Sequence, residues 1–491
     1  MSVLTVFHNG NRREILFAPP QPLHEVLRSA SIPADHPCGG KGRCGKCAVK
    51  LAGSTCPPTE AEITAGTRLS CQAVLTGDAT AWLEHTSLTQ IETNTHSLAS
   101  VAPMAGAYGA AVDIGTTTIA LALYRLSDGA VLASAAAENP QRTIAADVIG
   151  RMEAAMAGKL SLLQQLVLEK VQKLLSSACV DAGIEESAVE SLVITGNTTM
   201  LYLLTGKGPE SLSHAPFKAD CLFGFEITIL GKRAYLPPCM DAFVGADITC
   251  AVLASAMTEN PQPSLLCDIG TNGELVLWKE GVLSVTSTAA GPAFEGAGIS
   301  CGCGSIPGAI DRVWLEDNQV CCHTIEDSPA VGLCGSGLID AVSTLLKTVD
   351  IDETGVMDDD LLLAENVVLM PKDIRAVQLA KAAIAAGIQT LLESTDTKEN
   401  QLSDFYICGG FGTHLNLQSA ANIGLFPHTF IQKARVLGNA ALAGAAMLLL
   451  DTGLRAKAQQ LADAAVQLNL GGNPKFNENY ITQILFPEEG F

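Results

Sequence analysis

The sequence predicts a multidomain chain of mixed α/β and α+β type: a small β-rich domain, then two related α/β lobes facing one cleft. Three observations carry this expectation. A loop dense in cysteine and glycine lies within the first 87 residues. A strand-turn-strand-turn-strand pattern opening on Asp-Ile-Gly-Thr occurs twice, at Asp113 and at Asp268. Each copy is followed by another strand running into a glycine-rich turn, in residues 191–199 and 405–413.

Residues 1–87 read as the first domain. Val3, Thr5 and Phe7 alternate with other residues, His8-Asn9-Gly10 marks a hairpin turn, and Ile15 and Phe17 resume the alternation. Residues 22–30 have the spacing of a short helix. The cysteine loop runs from Pro37 to Cys47. Residues 88–107 are polar and weakly periodic, a linker whose flexible span would be about 25 Å.

From Tyr108 onward the pattern is α/β. The first lobe is assigned to residues 108–260 and the second to residues 261–450. Residues 159–182 and 373–392 have helical spacing. A tail, 451–491, is expected to pack on the lobes with one helix and a strand-like Ile-Thr-Gln-Ile-Leu-Phe segment.

Composition limits the function classes. The chain has 491 residues, enough for three or four folding units, and 48% are apolar, so cores can be built. A formal net charge of −21 argues against wrapping nucleic acid or coating an anionic membrane. Residues 1–50 depart from this balance, with seven Lys/Arg against three Asp/Glu. The amino terminus lacks a basic segment leading into an apolar one. The longest apolar run, Ala440 to Leu450, is too short to span a bilayer. The expectation is a soluble, cytoplasmic protein, whose 16 cysteines serve as metal ligands and buried thiols.

Cys38, Cys44 and Cys47 are spaced C-x5-C-x2-C, and Cys71 follows in Arg-Leu-Ser-Cys-Gln. Three thiolates on one tight loop plus a distant fourth suit a [2Fe–2S] cluster, in which each iron takes two. Gly39, Gly40, Gly42 and Gly45 let the backbone wrap closely. Lys41, Arg43 and Lys46 favour the reduced, more negative cluster. A zinc site would show two paired units, and only Cys44/Cys47 forms one. Cys56, in a Thr-Cys-Pro-Pro turn, is the alternative to Cys71 as fourth ligand. These 87 residues resemble the plant-type and adrenodoxin-type ferredoxins, with a shorter gap to the last cysteine than is usual there. The resemblance implies a β-grasp fold.

A strand that delivers Asp into Gly-Thr suits phosphate: amides form a concavity, hydroxyls add donors, and the carboxylate can hold Mg²⁺. Asp113 and Asp268 are the candidate catalytic carboxylates. Gly115, Thr116, Thr117 and Thr118 follow the first, and Gly270, Thr271 and Asn272 the second. Gly409, Gly410 and Gly412 close a later strand, suited to a nucleoside against backbone. Gly335 and Gly337 open a helix as another close-approach site. Asp247 reads either as a base or as a helix-capping carboxylate, and Glu295 is similarly open. Cys301, Cys303, Cys321, Cys322 and the remaining cysteines read as core residues.

This arrangement resembles the superfamily of acetate and sugar kinases, Hsp70 and actin, over residues 108–450. Asp113–Thr118 matches its first phosphate motif, Asp268–Asn272 its second and Gly409–Gly412 its adenosine motif. The resemblance implies a duplicated, two-lobed ribonuclease H-like ATPase with ATP and Mg²⁺ in the interlobe cleft.

An electron carrier joined to an ATP-driven hinge implies uphill electron transfer. Plant-type clusters lie near −400 mV, and an acceptor about 100 mV lower costs about 2.3 kcal/mol per electron. The order of parts resembles the reductive activators of corrinoid proteins. CGGKGRCGKC, RLSCQ, DIGTTT, NPQ with ADVIGRM, ITGNTTM, VGADI, CDIGTNGE, GPAFEGAGISCG, CGSGLID, GGFGTHLN and NPKFNENYITQILFP carry that resemblance. It implies an ATP-dependent reductase that returns the Co(II) corrinoid of a methyltransferase partner to Co(I), supplied by a ferredoxin or flavodoxin. No extra domain separates the ferredoxin and ATPase units, which leaves homodimerisation open. The alternatives are a small-molecule kinase with a redox-sensing domain and an ATP-gated scaffold with a structural cluster.

Overall fold

Apolar alternation builds the first sheet. In the computed structural model, which describes residues 1–8, 11–30, 32, 47–59, 62–63, 67–83, 108–317, 319–410 and 415–488, strand Ser2–His8 pairs antiparallel with Asn11–Phe17. It also pairs parallel with Val74–Leu83, which in turn receives Ala48–Thr55. The core face takes Phe17 and Ile15 from the second strand and the residues between Val3, Thr5 and Phe7 from the first. Leu4 and Val6 are buried, whereas Phe7 lies outward and stacks on Trp82 at 5.9 Å. The helix Leu23–Ser29 supplies Leu23, Val26 and Leu27, at helical spacing, to the same core. A helix across a mixed sheet is the β-grasp arrangement. Cys38, Cys44, the linker 88–107 and Gly412 lie outside the described residues.

The two α/β lobes share a plan. The first sheet runs, in order, Phe225–Ile229, Lys232–Leu236, Val189–Gly196, Tyr108–Ile114, Thr118–Arg125, Val131–Glu138. The second runs Ala434–Gly438, Asp404–Cys408, Ser264–Ile269, Gly273–Lys279, Val282–Thr288, Ala465–Gln467. In each, the strand carrying Asp-Ile pairs antiparallel with the next strand and parallel with the later one. Both aspartates therefore stand at the carboxyl ends of central parallel strands, where open α/β sheets place their ligand crevices.

Two helices sit between the sheets. Ala246–Ser255 and Ala440–Leu450 are buried almost all round, and their core joins Ala111 and Val193 of one lobe to Leu266 and Val276 of the other. Helices apolar on every face belong in such a position. Their backbones nearly touch: a Cβ at Gly444 would meet the Cys250 carbonyl oxygen at 2.1 Å. The long apolar run of the sequence is thus an interlobe helix. Among the described residues no helix is long and apolar enough to cross a membrane.

The tail differs from expectation. It contains two helices, Leu454–Asp463 and Pro474–Gln483, and the Ile-Thr-Gln residues finish the second instead of forming a strand. The edge of the second sheet beside Val282–Thr288 is already filled by Ala465–Gln467. Asn473 caps the last helix by accepting from the Lys475 and Phe476 amides. Asn479 then donates to Thr390 Oγ1 at 3.0 Å, and Lys381 Nζ donates to the Leu485 carbonyl at 2.5 Å.

Candidate functional site: a thiol pair and an interlobe cleft

A short β-bridge draws the distant cysteines together. Ala48 and Val49 pair with Leu69 and Arg68, and the Ser70 amide donates to the Cys47 carbonyl at 2.9 Å. This sets Cys47 Sγ and Cys71 Sγ 3.2 Å apart, with Cys47 buried. Burial pushes the Cys47 thiol up to about 12, and coordination to a metal would favour the thiolate. Two converging, partly buried thiols fit an iron–sulfur centre. Cys56 is engaged elsewhere: its sulfur accepts from the Val74 amide and from Arg68 Nη2, both at 3.3 Å.

The second site is a cavity of about 250 Å³ between the lobes. Asp113, Gly115 and Thr116–Thr118 line it from one side, and Asp268, Gly270, Thr271 and Asn272 from the other. Gly335, Gly409 and Gly410 also reach it, and Gly337 does not. A Cβ at Gly337 would instead meet the Ile310 carbonyl at 2.2 Å, so this glycine seats the helix Gly335–Thr348 on its neighbouring strand. Gly409 has φ +92° and packs against Asp268, whose Oδ1 lies 2.6 Å from an ideal Cβ there.

Buried side chains set the first turn from behind. Asn139 Nδ2 donates to the Gly115 carbonyl at 2.8 Å, and Arg151 Nη2 to the Thr116 carbonyl at 2.5 Å. With those carbonyls held back, neighbouring amides are left to the cavity. Arg151 is fully buried, and its hydrogen bonds run to carbonyl oxygens, Gln141 and Met200, with no carboxylate among the described residues. Burial pulls it down to about 9. The charges of Asp147 and Glu295 partly offset that burial.

Two helix caps do double duty. Asn197 accepts from the Met200 amide and donates to Thr116 Oγ1 at 3.2 Å. Asn439 accepts from the Leu442 amide and donates to Asp113 Oδ2 at 3.0 Å. Glu295, at the end of a 3-10 turn, bridges the lobes. Its Oε2 accepts from Thr117 Oγ1 at 2.7 Å and from Thr271 Oγ1 at 3.0 Å.

Carboxylates crowd the remaining wall. Burial pushes Asp113 up to about 6, and burial with the charges of Asp113 and Glu295 pushes Asp268 up to about 7. Asp247 is raised further by burial and by Asp268 and Asp113. It is not the helix cap, since Gly245 holds that place, and its Oδ1 accepts from Ile248 N at 2.9 Å beside the cavity. Glu274 lies directly across the strand pair from Asp268 and is raised well above the usual range by burial and these neighbours. This set of converging oxygen donors, Asp113, Asp247, Asp268 and Glu274, fits Mg²⁺.

Sequence reading did not give roles to Asn139, Arg151, Glu274 or Asn439. Asn139, Arg151 and Glu274 fall in the NPQ, ADVIGRM and CDIGTNGE segments that carry the resemblance, and Asn-Pro at 139–140 and Asn439 before the apolar run carry the pattern of helix caps. Cys303 also lines the cavity, half-buried, whereas Cys179, Cys239, Cys250, Cys267, Cys334 and Cys408 are core thiols.

Three family models cover most of the chain. A 2Fe-2S iron-sulfur cluster binding domain matches residues 6–76, the RACo middle region 108–260, and the C-terminal domain of RACo, the ASKHA domain, 262–491. The corrinoid activation enzyme RamQ of Eubacterium limosum is 30% identical over 420 residues, covering 77% of this chain and 70% of that one. The chain belongs to the RACo family of corrinoid activation enzymes. RACo membership agrees with 25% identity over 426 residues to the [Co(II) methylated amine-specific corrinoid protein] reductase of Methanosarcina barkeri, covering 78% of each. It agrees also with the solved structure of a reductive activator for corrinoid, iron-sulfur protein, at 25% identity and TM-score 0.73, covering 99% of this chain and 98% of that one. The RACo fold is thus a ferredoxin-like domain joined to an actin/Hsp70-like ASKHA unit. The RACo middle region, 108–260, spans the residues of the first of the two sheets.

Proposed function

We propose that this protein is an ATP-dependent reductase that delivers one electron to the Co(II) corrinoid of a methyltransferase partner and leaves it as Co(I). The supporting observation is that one chain carries both a converging thiol pair and a cleft whose two phosphate turns face each other. A [2Fe–2S] centre held by Cys38, Cys44, Cys47 and Cys71 would supply the one-electron step. Asp113 and Asp268 hold Mg²⁺, the threonine turns take the phosphates, and Gly409 and Gly410 receive the nucleoside. Residues 1–87 act as the electron-transfer domain, 88–107 as the tether, and 108–260 with 261–450 as the two lobes of the ATPase. A low-potential ferredoxin or flavodoxin is the donor.

Lobe closure around nucleotide changes the affinity for the two cobalt states, and a ligand shifts an equilibrium only by that difference. Anaerobic mixing with a Co(II) corrinoid protein, a strong reductant and Mg-ATP should produce the Co(I) visible spectrum. Its absence with ATP present would refute the reading.

The raised carboxyls give the cleft a pH dependence. Mg²⁺ binds the deprotonated forms, and Asp113 and Asp268 take up protons below about 6 and about 7. Affinity for Mg-nucleotide should therefore rise as the pH goes from about 5.5 to about 8, with proton release on binding. Calorimetry in two buffers of different ionisation heat reads that release. A pH-independent affinity with no proton release would exclude these carboxyls as the cation's ligands.

A further inference from the structure

We propose that Glu295 is a specificity-determining residue of the cleft: its carboxylate occupies the seat of a nucleotide's terminal phosphate, so a triphosphate must displace it and a diphosphate need not. This inference rests on the nucleotide reading of the cleft. Thr117 and Thr271 belong to the two phosphate turns, on opposite lobes, and both donate to the same oxygen of Glu295, at 2.7 and 3.0 Å. A hydroxyl has a single proton to donate. While Glu295 accepts both, neither threonine can donate to a phosphate oxygen. On the reading that seats the nucleoside at Gly409 and Gly410, which line the cavity, the point where the two turns converge is where the far end of a polyphosphate arrives.

The mount suits a displaceable group. Glu295 ends the turn Pro292–Glu295, anchored by the buried Phe294. The next residue, Gly296, is pressed against the Cys303 carbonyl, 2.3 Å from an ideal Cβ. Displacement of the carboxylate then needs only rotation of the Glu295 side chain about its own torsions. Two anions cannot share the seat, because the carboxylate and the terminal phosphoryl group repel each other and compete for the same donors. Arg151, whose charge acts on Glu295 from behind the first turn, favours whichever anion is present. Loss of the terminal phosphate then lets Glu295 return and rejoin the lobes.

The test is calorimetric titration of the full anaerobic protein with the Mg²⁺ complexes of ADP and of a non-hydrolysable ATP analogue. With Glu295→Gln the analogue should bind about tenfold tighter, as one competing charge-assisted interaction is removed, and ADP should change by less than about threefold. Glu295→Asp keeps the charge but is one methylene too short to reach both hydroxyls. It should shift the analogue in the same direction, and so tests the point if the neutral variant does not fold. Equal shifts for both nucleotides would overturn the proposal, as a general structural effect. Weaker analogue binding would overturn it by making Glu295 a ligand of the nucleotide. If the unaltered protein binds neither nucleotide, the cleft reading itself fails, a result distinct from either of these.

Discussion

Asp113→Asn should lower ATP-dependent Co(I) formation on the order of 10²-fold or more, without loss of the iron–sulfur absorption. The substitution is close to isosteric, and the new amide oxygen can still accept from Asn439 Nδ2, which now bonds Asp113 Oδ2 at 3.0 Å. What it removes is a negative charge at the cation position. That charge is unfavourable in the free protein, since burial holds Asp113 up at about 6 and its field raises Asp247 and Asp268. The sign for stability is therefore opposite to the sign for activity. An acid with a raised folded value contributes stability at low pH that is lost as the pH rises through about 6. Without divalent cation at pH about 8, the asparagine variant should melt at the same temperature as the parent or higher. A variant that melts lower and loses the cluster as well would mean that Asp113 holds the lobe together instead of serving the cleft.

How far the sequence could be read depended on whether a function is carried by neighbours in the chain. The two Asp-Ile-Gly-Thr turns were legible because each is a local strand-to-turn unit, and repetition marked both. Their placement on facing sheets follows from identical pairing, with Asp113 beside Thr195 and Asp268 beside Cys408 in the parallel registers. Arg151 was not legible as part of this site. In sequence it is a residue of the ADVIGRM segment with no role attached, and its meaning comes from the Thr116 carbonyl, 35 residues away. Glu274 likewise reads as a polar position on an alternating strand, and becomes an acid of the cleft only through its pairing opposite Asp268. Glu295 stood open between roles because its two partners sit 178 and 24 residues away. The tail misled for a different reason. Its β-branched residues have strand propensity, but the open sheet edge was taken and Asn473-Pro474 starts a helix, so context overrode propensity.

The same contrast between local pattern and distant contact decides the fourth cluster ligand. Cys71→Ser should remove the visible iron–sulfur absorption and with it all electron delivery, while Cys56→Ser should keep both. Cys71 Sγ lies 3.2 Å from Cys47 Sγ because the Ala48–Leu69 pairing and the Ser70 amide clamp the two segments together. An iron that takes two thiolates loses its site when one becomes a hydroxyl, a harder and far less acidic donor. Cys56 does different work. Its sulfur accepts from the Val74 amide and from Arg68 Nη2, which also ties the Arg68–Glu62 ion pair to the strand edge. A serine hydroxyl can accept from the same donors, so the change should cost under about 1 kcal/mol of stability. Iron and acid-labile sulfide should be measured on both variants, alongside nucleotide binding. Nucleotide affinity should be untouched in each, since neither sulfur reaches the cavity between the lobes. Loss of the cluster in Cys56→Ser with retention in Cys71→Ser would reverse the assignment of the fourth ligand.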